Sequence, residues 1–351
     1  KSLLEKLIPT IEKDESFVCV NNSQVAEEEV KYTLDDSGYI SSLNKGVSEG
    51  LGEAVGINFV SRHTLEAFKL ALINCDDNDY FEKGLGRALG YLVGALVLGT
   101  AFPYLLGGTD WGQQPDIIIK STSFLAILGG IVIWLFVPDG PFRKPSTALQ
   151  LHAGILLFKI NGFQKAALGY FGHMWELYAF WAFTPLAIQT FNTLNGQELS
   201  VSFWTGTIIA LGGLSCMLGG IISQQIGSKK VASTALFISG MFCLLSPILF
   251  QANSYIFLLG WCLWGMAVTA DSPQFSSLVA GSIPPELKGT GLTLVNCIGF
   301  AITIVSIQFI NLLSDFINEK YIFVFLALGP FLGLVALRGN KVRKTNNTEL
   351  L

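Results

Sequence analysis

The stretch GYFGHMWELYAFWAFTP, Gly169 to Pro185, is almost entirely apolar and aromatic, yet it contains His173 and Glu176. Such a run is typical of a helix that crosses a lipid bilayer, which needs about 20 apolar residues. Three positions apart, the imidazole and the carboxylate lie on one helix face. A carboxylate near an imidazole in a partly dehydrated site can hold, pass or sense a proton. The stretch therefore predicts a membrane helix that carries a polar site.

The composition of the whole chain supports a membrane environment for most of it. Of the 351 residues, 51% are hydrophobic and 14% are charged, and the mean hydropathy is +0.51. Residues 1–83 carry a net charge of −8, whereas residues 84–351 carry +4. We therefore predict two domains, a soluble α/β fragment over 1–83 and a membrane domain over 84–351.

Eight long apolar runs follow residue 84, separated by short polar breaks. Helices are favoured over barrel strands, because the runs lack the alternation that barrel strands show. The predicted fold class is an all-α polytopic membrane protein with about eight transmembrane helices and a small α/β N-terminal fragment. The predicted spans cover about 85–106, 117–137, 165–190, 203–226, 231–250, 255–279, 289–313 and 321–338.

The basic residues predict how the chain threads through the membrane. Thirteen of the fifteen Lys and Arg residues from Lys83 onward fall in connections on one side of the predicted helices. Lys and Arg are retained on the cytoplasmic side. The pattern therefore predicts a multi-pass protein of the plasma (inner) membrane, with both ends of the membrane part in the cytoplasm.

A few polar residues lie well inside the predicted spans. An ionised acid at the bilayer centre costs roughly 2.5–3.5 kcal/mol, so it normally faces a bundle interior or a watery cavity. Glu176, His173 and Asp271 are therefore candidates for a substrate or proton pathway, and Gln274 and Asn296 are further candidates. The alternative is structural, because polar side chains also form hydrogen bonds between membrane helices.

Glycines recur in the first predicted span. Gly86, Gly90 and Gly94 are spaced four apart, which removes side chains from one helix face. Such a face lets a second helix approach closely. We interpret these glycines as packing residues, with a substrate groove as the alternative.

One connection carries a recognisable motif. The stretch GGIISQQIGSKKVA, Gly219 to Ala232, resembles the cytoplasmic loop signature of the major facilitator superfamily. Gln224 and Gln225 stand where the family has an acidic and a basic residue. The positions that match the motif are Gly220, Gly227, Lys229 and Lys230.

Longer stretches extend this resemblance over about residues 80–351. GRALGYLVGALVLGTAFPYLLGG, GYFGHMWELYAFWAFTPL and ADSPQFSSLVAGSIPPELKGTGLTLVNCIGFAITIVSIQ resemble a bacterial permease group within the superfamily. The resemblance implies a membrane transporter of a small solute and not an enzyme. In the family, two six-helix halves rock around a midplane site. The eight spans would correspond to helices five through twelve of a twelve-helix transporter, so we expect a truncated or fused permease, and its activity on its own is left open.

The first 83 residues show a different resemblance. DDSGYISSL, GEAVGINFVS and NDYFEKGL resemble the C-terminal half of sugar-phosphate or phosphocholine nucleotidyltransferases. The resemblance implies that Glu53 lies near substrate and that Asp79 helps to hold a metal ion. The family's N-terminal nucleotide loop is absent from the sequence, so we expect no catalysis, and a nucleotidyltransferase is the alternative function. Asp79, with Asp76 and Asp77, could equally form a solvated helix end.

The two resemblances meet at DYFEKGLGRALG, residues 79–90. We hypothesise that the chain joins two gene fragments there, through an assembly error or a natural fusion.

Other site types receive no support from the sequence. It contains neither a CxxC pair nor a metal-ligand cluster, and its three His residues are scattered. No cofactor, metal or nucleic acid is therefore predicted. The expected partners are the lipid bilayer, a small-molecule substrate and protons.

Overall fold

The computed structural model describes residues 3–21, 31–35, 40–44, 51–59, 61–65, 79–137, 154, 156–284 and 287–338. The chain divides into two compact units, Lys1–Asp77 and Asn78–Leu351. The division lies a few residues before the boundary at residue 84 that the charge pattern suggests. The first membrane helix already begins at Asp79, so the polar residues before Gly84 form its first turn.

The N-terminal unit contains a small antiparallel sheet. Its strands lie in the spatial order β1-β4-β2-β3. The rings of Phe17 and Phe59 stack at 5.7 Å across β1 and β4, the two longest-range partners in the sheet. In the sequence, Asp36, Ser37 and Gly38 predict a hairpin turn, and an apolar pattern after Ser61 predicts an amphipathic helix. The turn and most of this helix lie outside the described residues. The elements are α1 (Leu3–Glu12), β1 (Phe17–Asn21), β2 (Lys31–Leu34), β3 (Ile40–Asn44) and β4 (Gly52–Phe59).

The membrane unit is helical. Seven of its described helical segments are long and apolar enough to cross a membrane, judged by length and composition. The eighth predicted span lies within α4, which has 35 residues and is therefore about 52 Å long. The predicted polytopic helical fold is confirmed. The helices are α2 (Asp79–Gly107), α3 (Pro115–Phe136), α4 (Asn161–Asn195), α5 (Val201–Ile226), α6 (Ser228–Leu249), α7 (Ser254–Ala270), α8 (Ser272–Gly281), α9 (Lys288–Ser314), α10 (Glu319–Ile322) and α11 (Leu328–Arg338).

Two predicted spans are interrupted. The span 255–279 consists of α7 and α8, which meet at Asp271, because Pro273 in the first turn of α8 has no backbone N–H to continue the hydrogen bonding of α7. The last span contains a 3₁₀ stretch, Phe323–Ala327, between α10 and α11. Two breaks therefore occur in runs that look continuous by hydropathy.

Helix α4 lies at the centre of the membrane unit. Eighteen of its residues are buried. It packs against α5, α7, α8, α9, α10 and α11, and a side chain of α4 also contacts α6. Gly172 of α4 and Gly329 of α11 bring their backbones so close that a β-carbon on either would collide with the other chain segment. Because lipid provides no hydrophobic drive between helices, this close backbone packing is what holds them together.

Helices α2 and α5 also pack through glycine. A β-carbon on Gly90 would lie 2.8 Å from the Cys216 carbonyl oxygen, and one on Gly94 would lie 2.8 Å from that of Gly213. On the opposite helix, a β-carbon on Gly220 would lie 3.0 Å from the Gly86 carbonyl oxygen. The glycines of the first span therefore face glycines of α5, and the space between them is filled by backbone.

Candidate functional site

Glu176 lies near the middle of α4 and is fully buried. Its Oε1 accepts hydrogen bonds from Trp264 Nε1 at 2.7 Å and from Cys243 Sγ at 3.2 Å. Its Oε2 accepts from Ser239 Oγ at 2.8 Å. These four residues, the carboxylate cluster, connect α4 with α6 and α7. Three donors offset much of the cost of burying the carboxylate in an apolar interior.

His173 and Asp271 form a second buried pair, one helical turn from Glu176. His173 Nδ1 lies 2.8 Å from Asp271 Oδ1, and both side chains are almost completely excluded from solvent. The other ring nitrogen, Nε2, lies 2.7 Å from Ser272 Oγ. We call His173 and Asp271 the helix-break pair, because Asp271 occupies the junction of α7 and α8.

Local structure explains why this junction suits an acid. Asp271 is the N-cap residue of α8, where the unpaired N–H groups of the first turn carry a partial positive charge. The rings of Tyr170 and Phe275 lie 5.9 Å from the His173 ring, one from α4 and one from α8. The pair is therefore enclosed by aromatic rings, and Asp271 lies at the end of a half-helix without a capping hydrogen bond to its side chain.

Gln274 is fully buried in the first turn of α8. Neither atom of its amide has a hydrogen-bond partner among the described residues. A β-carbon on Gly86 would lie 3.4 Å from Gln274 Oε1 and 3.3 Å from Ser228 Oγ. The amide therefore faces the glycine surface of α2, with hydrogen-bonding capacity that the surrounding side chains leave unused.

The other candidates from the membrane sequence are not brought to these clusters. Asn296 is exposed on α9. Gly227 ends α5 with φ +86°, a backbone conformation that favours glycine. Lys229 and Lys230 are exposed in the first turn of α6. The loop motif thus forms a tight helix connection with two exposed basic side chains.

The two acids from the nucleotidyltransferase resemblance lie in separate units. Glu53 lies on β4, where the backbone pairs it with Asn21 and Lys31. Asp79 is the first residue of α2. Within the part of the chain that the structure describes, no three His, Cys, Asp or Glu side chains come together in a way that could hold a metal ion.

The sequence reasoning missed the partners of Glu176. The residue type of Trp264 predicts a place near a membrane interface or in a pocket, of which the interface is commoner. The side chain is fully buried and donates to the carboxylate. Ser239 and Cys243 lie four residues apart on α6, so they share one face of that helix. Small polar residues at this spacing within an apolar span are the signal that could have indicated a buried acceptor.

Comparisons with known proteins address the fold. No family model and no curated protein matches the sequence. A bacterial homologue of the iron transporter ferroportin, in an outward-facing state, superimposes with a TM-score of 0.50 and 16% identity over 72% of this chain. This chain spans 64% of the length of that protein. The membrane unit has a partial major-facilitator fold.

A second solved structure with a major-facilitator fold, the E. coli fucose:proton symporter, gives a TM-score of 0.44 at 14% identity, over 74% of this chain and 82% of the symporter. The resemblance of residues 1–83 to nucleotidyltransferases has no support in these comparisons.

The side chains of Glu176 and Asp271 are fully buried, and they contact other helices of the same bundle. The two clusters are therefore internal to the bundle, which is compatible with either a proton-handling role or the structural role that the sequence left open.

Proposed function

We propose that the membrane unit moves a small solute across a membrane as a major-facilitator permease, and that the helix-break pair handles a proton during this movement. The fold and the membrane-spanning helices support the first part. The second part rests on one observation, which is that His173 Nδ1 and Asp271 Oδ1 lie 2.8 Å apart, buried at the junction of two half-helices.

A buried imidazole and carboxyl can share one proton in two ways. With the proton on the imidazole they form an ion pair, and with the proton on the carboxyl both groups are neutral. Separating the ion pair would leave two isolated charges in an apolar interior, at a cost of several kcal/mol for each ion. The neutral form can separate without that cost. Proton transfer between Asp271 and His173 would therefore let α8 move relative to α4.

Glu176 has a different proposed role. Its carboxylate accepts from donors on α6 and α7, so it holds α4 against these two helices. In this proposal it fixes the position of His173, which lies one turn away on the same helix.

The proposal is tested in vesicles that contain the full chain and a trapped pH dye. Labelled amines, polyols, sugars and amino acids are added outside, and both uptake of label and the internal pH are followed. We expect at least one labelled solute to enter together with a pH change, and Asp271→Asn to abolish the pH change. Entry without a pH change would reject the proton role. If no solute entered, transport by this chain would be rejected.

We further propose that both ends of the membrane unit lie in the cytoplasm, at the plasma (inner) membrane. The support is the distribution of Lys and Arg. Lys229 and Thr193 are both exposed, and they fall on opposite sides in this arrangement. In a cysteine-free background, Thr193→Cys should react in intact cells with a membrane-impermeant maleimide, and Lys229→Cys should react only after lysis. Equal labelling in intact cells would overturn the threading.

A further inference from the structure

A pocket of about 500 Å³ lies where the ends of α4 and α9 meet the start of α10. Its α4 residues lie in the last turns of that helix, whereas Glu176 and His173 lie near the middle of it. Polar side chains from all three helices and their connection contribute to its lining. They are Gln189, Thr190, Thr193, Ser314, Asn318 and Glu319.

The pocket has a negative charge, and no basic side chain occurs among its described lining residues. Glu319 is the charged residue of the lining, and its Oε2 accepts a hydrogen bond from Thr190 Oγ1. The neighbouring Lys320 is directed elsewhere, since its Nζ lies 4.8 Å from the centroid of the Tyr321 ring. Thr190 therefore orients a carboxylate that remains available to a cation in the pocket.

The rest of the lining indicates which kind of cation would fit. The hydroxyl and amide oxygens can each accept an N–H donor. The residues described in the lining include no aromatic ring, whereas quaternary ammonium ions are characteristically bound by aromatic cages. One carboxylate among neutral oxygens is also a small set of ligands for a divalent metal ion, which takes six to eight oxygens in the case of calcium. Leu186, Leu194 and Ile317 offer an apolar wall to a short hydrocarbon segment.

We propose that this pocket binds a small primary-ammonium solute, with Glu319 as the counter-charge and Thr190 as the residue that orients it. The solute's N–H groups would bond to the carboxylate and to neighbouring hydroxyl or amide oxygens. This inference adds a ligand class to the proposed transport function at a separate site. It is tested by binding to the purified chain, so that failure of binding and failure of transport can be distinguished.

The test measures binding of ethanolamine to the full chain in detergent by isothermal titration calorimetry. Tetramethylammonium has the same charge but no N–H donor, and ethylene glycol has hydroxyl groups but no charge. We expect saturable ethanolamine binding and at least tenfold weaker binding of the other two. Absence of ethanolamine binding, or equal binding of tetramethylammonium, would overturn the proposal.

Variants assign the binding to this pocket. Glu319→Gln removes the charge while its amide oxygen can still accept from Thr190, and it should weaken ethanolamine binding at least tenfold. Glu198→Gln is the matched control, because Glu198 is exposed in the connection after α4 and does not line the pocket. An unchanged affinity in Glu319→Gln, or an equal loss in Glu198→Gln, would reject the site.

A second variant keeps the carboxylate and removes only the hydroxyl that donates to it. Thr190→Val removes the hydroxyl that donates to Glu319 and keeps a similar side-chain volume. It should weaken ethanolamine binding by a smaller factor, about threefold to tenfold, consistent with one hydrogen bond. Circular dichroism and elution volume confirm that each variant is folded. If folded Thr190→Val bound ethanolamine as tightly as the original chain, Thr190 would have no orienting role.

Discussion

Helices α3 and α4 show two opposite ways in which a helix can occupy a membrane. None of the 22 residues of α3 is buried in the structure, and its charged pair, Asp116 and Lys120, lies near its start. Helix α4 has eighteen buried residues, among them an imidazole and a carboxylate. Helix α4 is also the long helix that fails the length and composition test for a span. Of these two helices, the exposed one is therefore the more apolar, and the helix with the polar site is the less apolar one.

The largest expected effect is at the helix-break pair, in which α4 supplies His173 and the junction of α7 and α8 supplies Asp271. Asp271→Ala should lower the free energy of unfolding by about 3–5 kcal/mol, since it leaves His173 without its buried partner. Unfolding in mixed micelles, followed by circular dichroism, measures the change. The double variant His173→Gln with Asp271→Asn contains no charge and should recover part of the loss. A double variant no more stable than Asp271→Ala would show that the pair does not act as a unit.

The carboxylate cluster provides the next comparison. Glu176→Ala should cost roughly 2–3 kcal/mol, because Trp264, Ser239 and Cys243 lose their buried acceptor. Glu176→Gln retains one acceptor oxygen and should cost less. The same unfolding measurement applies. If both variants were as stable as the original chain, the hydrogen bonds of Glu176 would contribute nothing to the packing of α4.

Glycine substitution compares the two helices by packing alone. Gly172→Ala places a β-carbon against the backbone of α11 and should cost about 1–3 kcal/mol. On α3, a β-carbon added to Gly130 would meet no described atom within 4 Å, so Gly130→Ala should stabilise by up to about 1 kcal/mol through helix propensity. Thermal unfolding of the two variants in one detergent measures the contrast. Equal effects would contradict the assignment of α4 as the central helix.

The smallest effect is expected at the start of α3. Lys120 Nζ donates to Asp116 Oδ2 at 2.8 Å, and both side chains are more than half exposed. Asp116→Asn should change the free energy of unfolding by no more than about 0.5 kcal/mol, as for other exposed pairs of this spacing. A loss comparable with that of Asp271→Ala would mean that solvent exposure does not separate the two pairs, and the contrast between α3 and α4 would fail.

The positions of the membrane helices were predictable, because the mean hydropathy of a segment indicates whether that segment lies in a membrane. The predicted spans overlap the observed helices. The break at Asp271 was harder to predict from the sequence, since the residues on both sides are apolar enough for one span. Its signal was present in Pro273, but a proline in a membrane helix produces a kink as readily as an end.

The candidate site was predictable only in part. Glu176, His173 and Asp271 stand out because acids and imidazoles are rare in apolar spans. Their partners do not stand out in the same way. Ser239 and Trp264 lie 63 and 88 positions from Glu176, and Glu319 lies 129 positions from Thr190. No local pattern indicates pairs at such separations.

The amino-acid sequence alone determined that most of this chain lies in lipid, where its helices run, and which embedded residues are costly to bury. These properties depend on the free energy of transferring each segment from water to hydrocarbon, and the residues of that segment alone determine this free energy. Only the tertiary structure decided that Glu176 and Asp271 lie inside the bundle, that Asn296 is exposed, and that Glu319 belongs to a polar pocket. The reason is that helix packing in lipid depends on surface shape and on hydrogen bonds between distant residues, which segment averages do not contain.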